Sequence, residues 1–184
     1  MRLHGIAALR PVLACGGDVG QVAASVLGPH SQAVRAVLFD KTTSANWALA
    51  WHQDRTIAVL ARRDVPGFGP WTRKAGLLHV ALPAAVLQGM VTLRVHLDPV
   101  PADDAPLLIA PGSHGMGRIA EADVPGTVAS LGVRTCLADE GDIWLYATLI
   151  LHASNASAAP ARRRVLQVYY AASGLPGGLE WLGV

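Results

Sequence analysis

At 184 residues, 52% of them hydrophobic, the chain suits one domain with a sizeable buried core. Its 15 basic and 13 acidic residues leave a formal charge of +2, which gives no broad electrostatic footprint for nucleic acid. The longest clean apolar run, Ile143 to Leu151, is too short to cross a bilayer, so neither a polymer nor a membrane is the expected partner.

The N-terminal stretch "MRLHGIAALRPVLACGGD" is interrupted by His4 and Pro11 and has no sustained apolar core of a signal peptide. Cys15 and Cys136 show no metal or redox spacing, and both are expected to be reduced and buried in a cytoplasmic protein. Next, "GGDVGQVAASVLG" predicts one helix, with Asp18 near its start and Gly28 just past its end. From there the chain changes character. "AVRAVLFD", "WALAWHQDRTIAVLAR", "MVTLRVHLD", "PLLIAPGSH", "GDIWLYATLILHAS" and "RRRVLQVYYAA" are β-rich runs punctuated by Gly, Pro, Asp and Ser. They predict a mostly β protein, a sandwich or jelly roll, with "PAAVLQGM" as a short outer helix beginning at Pro83.

Within the second run, "WHQD" places His52 and Asp54 two apart, on one face of a strand, with Gln53 opposite. An imidazole and a carboxylate so placed either grip a divalent metal or bond each other. His152 closes the most apolar run of the chain, where an ionisable group is costly without a partner. Two His and one Asp match the facial triad of non-heme Fe(II) oxygenases, while zinc accepts the same ligands. Eleven residues on, counting 163 − 152, three arginines open a strand. Alternation sends Arg163 to one side and Arg162 and Arg164 to the other, so the inward one is a candidate carboxylate clamp.

The stretches "WHQD", "HLDPVPADDAPLLIAPGSHGMGR", "GDIWLYATLILHASNAS" and "RRRVLQVYY" follow one another from about Phe39 to Tyr170. As a set they resemble the phytanoyl-CoA dioxygenase family of Fe(II)/2-oxoglutarate-dependent oxygenases. The resemblance implies a double-stranded β-helix, a cupin-like jelly roll with a short N-terminal helix and few peripheral helices, as one domain over 1–184 with its core at about 34–172. It implies Fe(II) at His52, Asp54 and His152, with Arg163 and Ser154 on the distal carboxylate of 2-oxoglutarate. The implied reaction hydroxylates a small-molecule substrate with O2 and releases succinate and CO2.

The chain departs from the family at several places. Arg94 stands where relatives commonly carry an aromatic residue, which makes it a second anion-binding element or half of an ion pair at the core edge. Asp103, Asp104 and Ala105 replace an Asn-Gly pair, a change that turn chemistry is expected to tolerate. The substrate pocket is expected around Lys41, Trp51, Gln53 and Trp71, with core packing as the plainer role for the tryptophans. "ARRDVPGFGPWTRKAG" reads as a lid over the mouth or as a solvated loop, and His96 as a hydrogen-bonded structural histidine. The short front of the chain leaves the pocket more open, or leaves a wall to a second subunit of a homodimer. The competing function is a jelly-roll module that keeps a metal or ligand but has lost turnover.

Overall fold

The computed structural model describes residues 1–158 and 162–184. The chain begins with β1 (Arg2–Leu3), α1 (Leu9–Leu13) and α2 (Gly20–Leu27), then runs through β2 (Gln32–Lys41), β3 (Leu49–His52), β4 (Thr56–Ala58), β5 (Trp71–Lys74) and β6 (Leu77–Ala81). After α3 (Ala84–Gln88) come β7 (Met90–His96), β8 (Leu107–Ile109), α4 (Val124–Leu131), β9 (Arg134–Cys136), β10 (Ile143–Ala147), β11 (His152–Ser154) and β12 (Arg163–Ala171).

Strands β1-β2-β12-β7-β10 form one antiparallel sheet and β3-β11-β8-β9 a second. The chain passes back and forth between them, from β2 to β3, β7 to β8, β10 to β11 and β11 to β12, which is the double-stranded β-helix. A third, smaller sheet, β4-β6-β5, flanks the pair.

Alternation along β12 decides where the core and the site lie. Leu166, Val168 and Tyr170 share the outer face, where they pack with Leu13 of α1 and Ala23 of α2. Each fully buried Leu or Val there contributes roughly 1.5–3 kcal/mol. Arg163, Gln167 and Tyr169 share the inner face and are equally buried. A buried inner row this polar needs partners.

Several expected elements differ. "GDIWLYATLILHAS" is two strands in different sheets, β10 and β11, joined by a turn closed by Ile150 N–H on Ala147 O at 3.0 Å. Thr148, Leu149 and Leu151 in that turn are buried, so hydrophobicity never drops where the direction changes. "WALAWHQDRTIAVL" likewise breaks after His52, and β4 resumes in the small sheet. The expected front helix is α2, and α3 follows Pro83. Neither α1 nor α4 was anticipated, although Pro125 in the first turn of α4 and Gly132 just past its end are ordinary helix signals. Cys136 is buried but Cys15 is exposed, contrary to expectation, because it lies in the link between α1 and α2, where Ala14 and Gly16 are exposed as well. No helix among the described residues is long and apolar enough to cross a membrane.

Candidate metal centre

Strands β3 and β11 pair so that His52 lies directly opposite His152, with ring centroids 4.3 Å apart. Sheet pairing thus joins two imidazoles that the chain separates by 152 − 52 = 100 residues. Each Nδ1 faces a main-chain carbonyl two residues back, His52 to Ala50 O at 2.7 Å and His152 to Ile150 O at 3.0 Å. Carbonyls accept only, so each Nδ1 carries the proton and each Nε2 keeps its lone pair for a ligand.

Asp54 does not reach the site by strand alternation, since β3 ends at His52. Hydrogen bonds from the opposite sheet aim it instead. Tyr169 OH donates to Asp54 Oδ2 at 2.8 Å and Gln167 Nε2 at 3.4 Å, and that oxygen lies 3.6 Å from His152 Nε2. The ligand atoms of all three residues fall within 4.8 Å of one another. Burial pushes the Asp54 carboxyl up, but the Arg35 guanidinium and the Tyr169 hydrogen bond pull it the other way and help hold it below its ordinary value. Burial pushes His152 down against the pull of Asp54, and its ring stays neutral. Two imidazoles and one carboxylate form a donor set suited to Fe(II).

Behind this triad the inner face is cationic. Arg163 is buried and sits across from Lys41 on β2, while Arg162 and Arg164 point outward to Asp40 and Asp98. Arg163 Nη1 and Ser154 Oγ both donate to Ala105 O, at 2.9 and 3.2 Å, so the two side chains converge on one acceptor. Ala105 holds a left-handed backbone with φ 51°, so the Asp-Asp-Ala substitution carries strain rather than being simply tolerated. Burial, with Arg94 beside it, lowers Arg163 to about 10. The Nε atoms of Arg163 and Arg94 are buried without partners, as a site for an anion requires. Arg94 Nη1 also donates to Gln167 Oε1 at 2.9 Å, linking this region to Asp54 through the Gln167 amide.

The four residues expected around the substrate part company. Trp51 is half-buried on Ala110, Ile119, Val124 and Leu151, and borders a cleft of about 660 Å³ together with His52, Glu121 and Val128. Gln53 borders the same cleft, but its amide is fully engaged: Nε2 donates to Gly117 O and Leu149 O, each at 2.8 Å, and Oε1 accepts from Ile119 N and Arg55 Nη2. It is a clasp on the 117–119 loop. Lys41 lies with the buried cations, its Nζ on Trp47 O and Asn155 O at 2.6 and 3.1 Å. Trp71 stands apart, in a separate cleft of about 520 Å³ with Val59, Leu78 and Leu182 and with Arg62 over its ring at 5.5 Å. Of the stretch read as a lid or a solvated loop, Trp71–Lys74 is neither, since it pairs with β6 as strand β5.

Sequence reasoning missed Gln167 and Tyr169, although stepping by two from Arg163 along β12 reaches both. It also missed Arg35, whose guanidinium lies 4.7 Å from the Tyr169 ring centre. His96 is buried, yet neither ring nitrogen has a hydrogen-bond partner, contrary to the structural role expected of it. In the "PGSH" turn the buried Ser113 ties the loop, donating to Ala110 O and accepting from Leu151 N.

Known structures share this architecture. EctD from S. alaskensis superposes with a TM-score of 0.65 at 19% identity, over 92% of this chain and 56% of its own. AviO1 from Streptomyces viridochromogenes Tue57 gives 0.58 at 21%, over 85% and 57%. The non-heme alpha ketoglutarate dependent epimerase SnoN from nogalamycin biosynthesis gives 0.60 at 16%, over 90% and 62%. The present chain therefore spans little more than half the length of these proteins. EctD has been crystallised with bound Fe, and with 2-oxoglutarate and 5-hydroxyectoine. No curated protein sequence matches the chain. The family model for phytanoyl-CoA dioxygenase matches residues 14–165. That span holds His52, Asp54, His152 and the buried Arg163, and over it the chain belongs to the phytanoyl-CoA dioxygenase family.

Proposed function

We propose that the protein is an Fe(II)- and 2-oxoglutarate-dependent dioxygenase that hydroxylates a small-molecule metabolite. The donor set carries this reading: two imidazoles with Nε2 free and an ionised carboxylate, all within 4.8 Å. His52, Asp54 and His152 would hold the iron. Arg163 and Ser154 hold the distal carboxylate of 2-oxoglutarate, and Arg94 adds positive charge behind them. The bound iron and cosubstrate supply the chemistry, oxidative decarboxylation to succinate and CO2 coupled to insertion of oxygen into a C–H bond. The Fe and 2-oxoglutarate bound by EctD support the assignment of these groups.

Substrate enters at the cleft bordered by Trp51, Val124 and Val128, whose apolar wall excludes water beside His52. In this reading 1–184 is one oxygenase domain whose partners are a small molecule and O2. The test is an anaerobic titration of the apo protein with Fe(II) and then 2-oxoglutarate, following the metal-to-ligand charge-transfer absorption. A saturable band that vanishes in His52→Ala is expected. Folded protein that gives no band would instead be a metal- or ligand-binding jelly roll without turnover.

A further inference from the structure

One polar side chain on the inner face of the first sheet has no part in the roles above. His96 ends β7, is 1% exposed, and has no hydrogen-bond partner among the described residues at either ring nitrogen. Unpaired buried polar atoms oppose folding, so a ring kept there without a partner points to a ligand.

The strand register says which ligand. His96 lies directly opposite Val165 on β12, and Arg163 is two residues from Val165 on the same face. Arg94 is two residues back along β7, again on that face. His96 therefore sits between the two arginines whose Nε atoms are also unpartnered. Lys41, across from Arg163, adds a third buried cation. The carboxylates acting on this group are buried Asp104, whose Oδ1 is unpartnered, and exposed Asp142. Burial, then Arg94 and Arg163, push the His96 ring down to about 4, so it adds an N–H donor to the cluster without adding charge. A buried, donor-rich interior with excess positive charge is matched by a carboxylate.

We propose that His96 donates a hydrogen bond to the distal carboxylate of 2-oxoglutarate and thereby makes the site select a 2-oxo dicarboxylate over a 2-oxo monocarboxylate. The inference rests on the 2-oxoglutarate reading of the site given above.

The test uses protein loaded with Ni(II), which occupies the metal site without turnover. Affinities for 2-oxoglutarate and for 2-oxobutyrate are measured by calorimetry for wild type, His96→Leu and His96→Asn, together with ligand-free melting temperatures. A purely structural histidine left without partners is replaced by leucine with no loss of binding. The expected result is crossed: His96→Leu melts higher without ligand, yet binds 2-oxoglutarate about tenfold more weakly and 2-oxobutyrate unchanged. His96→Asn keeps an N–H donor and recovers most of the affinity. If His96→Leu does not fold, His96→Met is the second donor-free variant and shows the same loss. Wild-type affinity for 2-oxoglutarate in the donor-free variant overturns the inference and leaves the proposed function standing. Equal weakening of both oxo acids overturns the selectivity. Ni(II)-loaded wild type that binds no 2-oxoglutarate overturns the proposed function itself.

Discussion

Tyr169 and Asp54, 115 residues apart in the chain, are joined by a hydrogen bond in which the Tyr169 hydroxyl donates to Asp54 Oδ2 at 2.8 Å. The bond carries a side chain of the first sheet onto a carboxylate just beyond the end of β3 in the second. It does for Asp54 what the main-chain carbonyls do for the two histidines. Removing it frees the carboxylate to rotate while leaving the ligand set intact. Tyr169→Phe is expected to weaken Ni(II) or Co(II) binding by about 10- to 100-fold, as losses of groups that orient metal ligands do. Gln167→Leu, which removes a longer bond, should cost less. Calorimetric titration of the apo protein checks both, and unchanged affinity in Tyr169→Phe would show that Asp54 is positioned by its own loop.

Arg163 and Ser154 meet at Ala105 O. Arg163→Ala should leave metal affinity unchanged and weaken 2-oxoglutarate by about 100-fold or more, the scale of losing a buried charge-assisted pair. Arg163→Lys keeps the charge but not the fork, so an intermediate loss is expected. Unaltered 2-oxoglutarate affinity in Arg163→Ala would move the clamp to Arg94.

Ala105 is one of two non-glycine residues with positive φ among the described residues. Left-handed backbone costs an L-residue roughly 1–2 kcal/mol, so Ala105→Gly should stabilise the ligand-free protein by about that much in urea melts, less the added freedom of the unfolded glycine. Because Ala105 O is the shared acceptor of Arg163 and Ser154, the looser backbone is expected to weaken 2-oxoglutarate at the same time. A variant that gains stability and keeps full affinity would separate the strain from the site.

Burial, with Arg163 and Arg94 nearby, lowers Lys41 from 10.5 to about 8. Between those values the unfolded lysine holds its proton and the folded one does not. The unfolded state then binds more protons, so this contribution to stability rises with pH across that window and is constant below it. Against Lys41→Met, wild type should gain on the order of 1–2 kcal/mol between about pH 8 and pH 10.5, the full shift being discounted for solvent screening. Denaturant melts at several pH values measure the gap, and a gap independent of pH would place Lys41 in contact with water.

Gln53 shows how little a motif says about the residue inside it. Its amide satisfies Gly117 O, Leu149 O and Ile119 N, so Gln53→Leu strands buried main-chain groups and should destabilise the fold by at least about 2 kcal/mol. A thermal melt checks this, and a near-neutral effect would mean that water replaces the amide.

Much of this was legible beforehand, and the reasons differ from element to element. The polar face of β12 follows from strict alternation over nine residues, which sends Arg163 inward and Arg162 and Arg164 outward whatever the strand pairs with. The break between β10 and β11 was hidden, because its turn is as apolar as the strands it joins. Trp71 looked like a neighbour of the metal strand and is not, because the chain leaves the second sheet after His52 and enters the small sheet instead.

The sequence by itself determined the β-rich class, the front helix, the His52-x-Asp54 pair and the inward arginine, since each depends on local periodicity or on residues a few positions apart, while His152 joined the pair through the family resemblance. Only the tertiary structure decided that His52 faces His152, that Tyr169 and Gln167 stand behind Asp54, and that His96 lies between Arg94 and Arg163. Those relations are set by the register between strands remote in the chain. Register is chosen by how whole faces pack, and no local pattern encodes it.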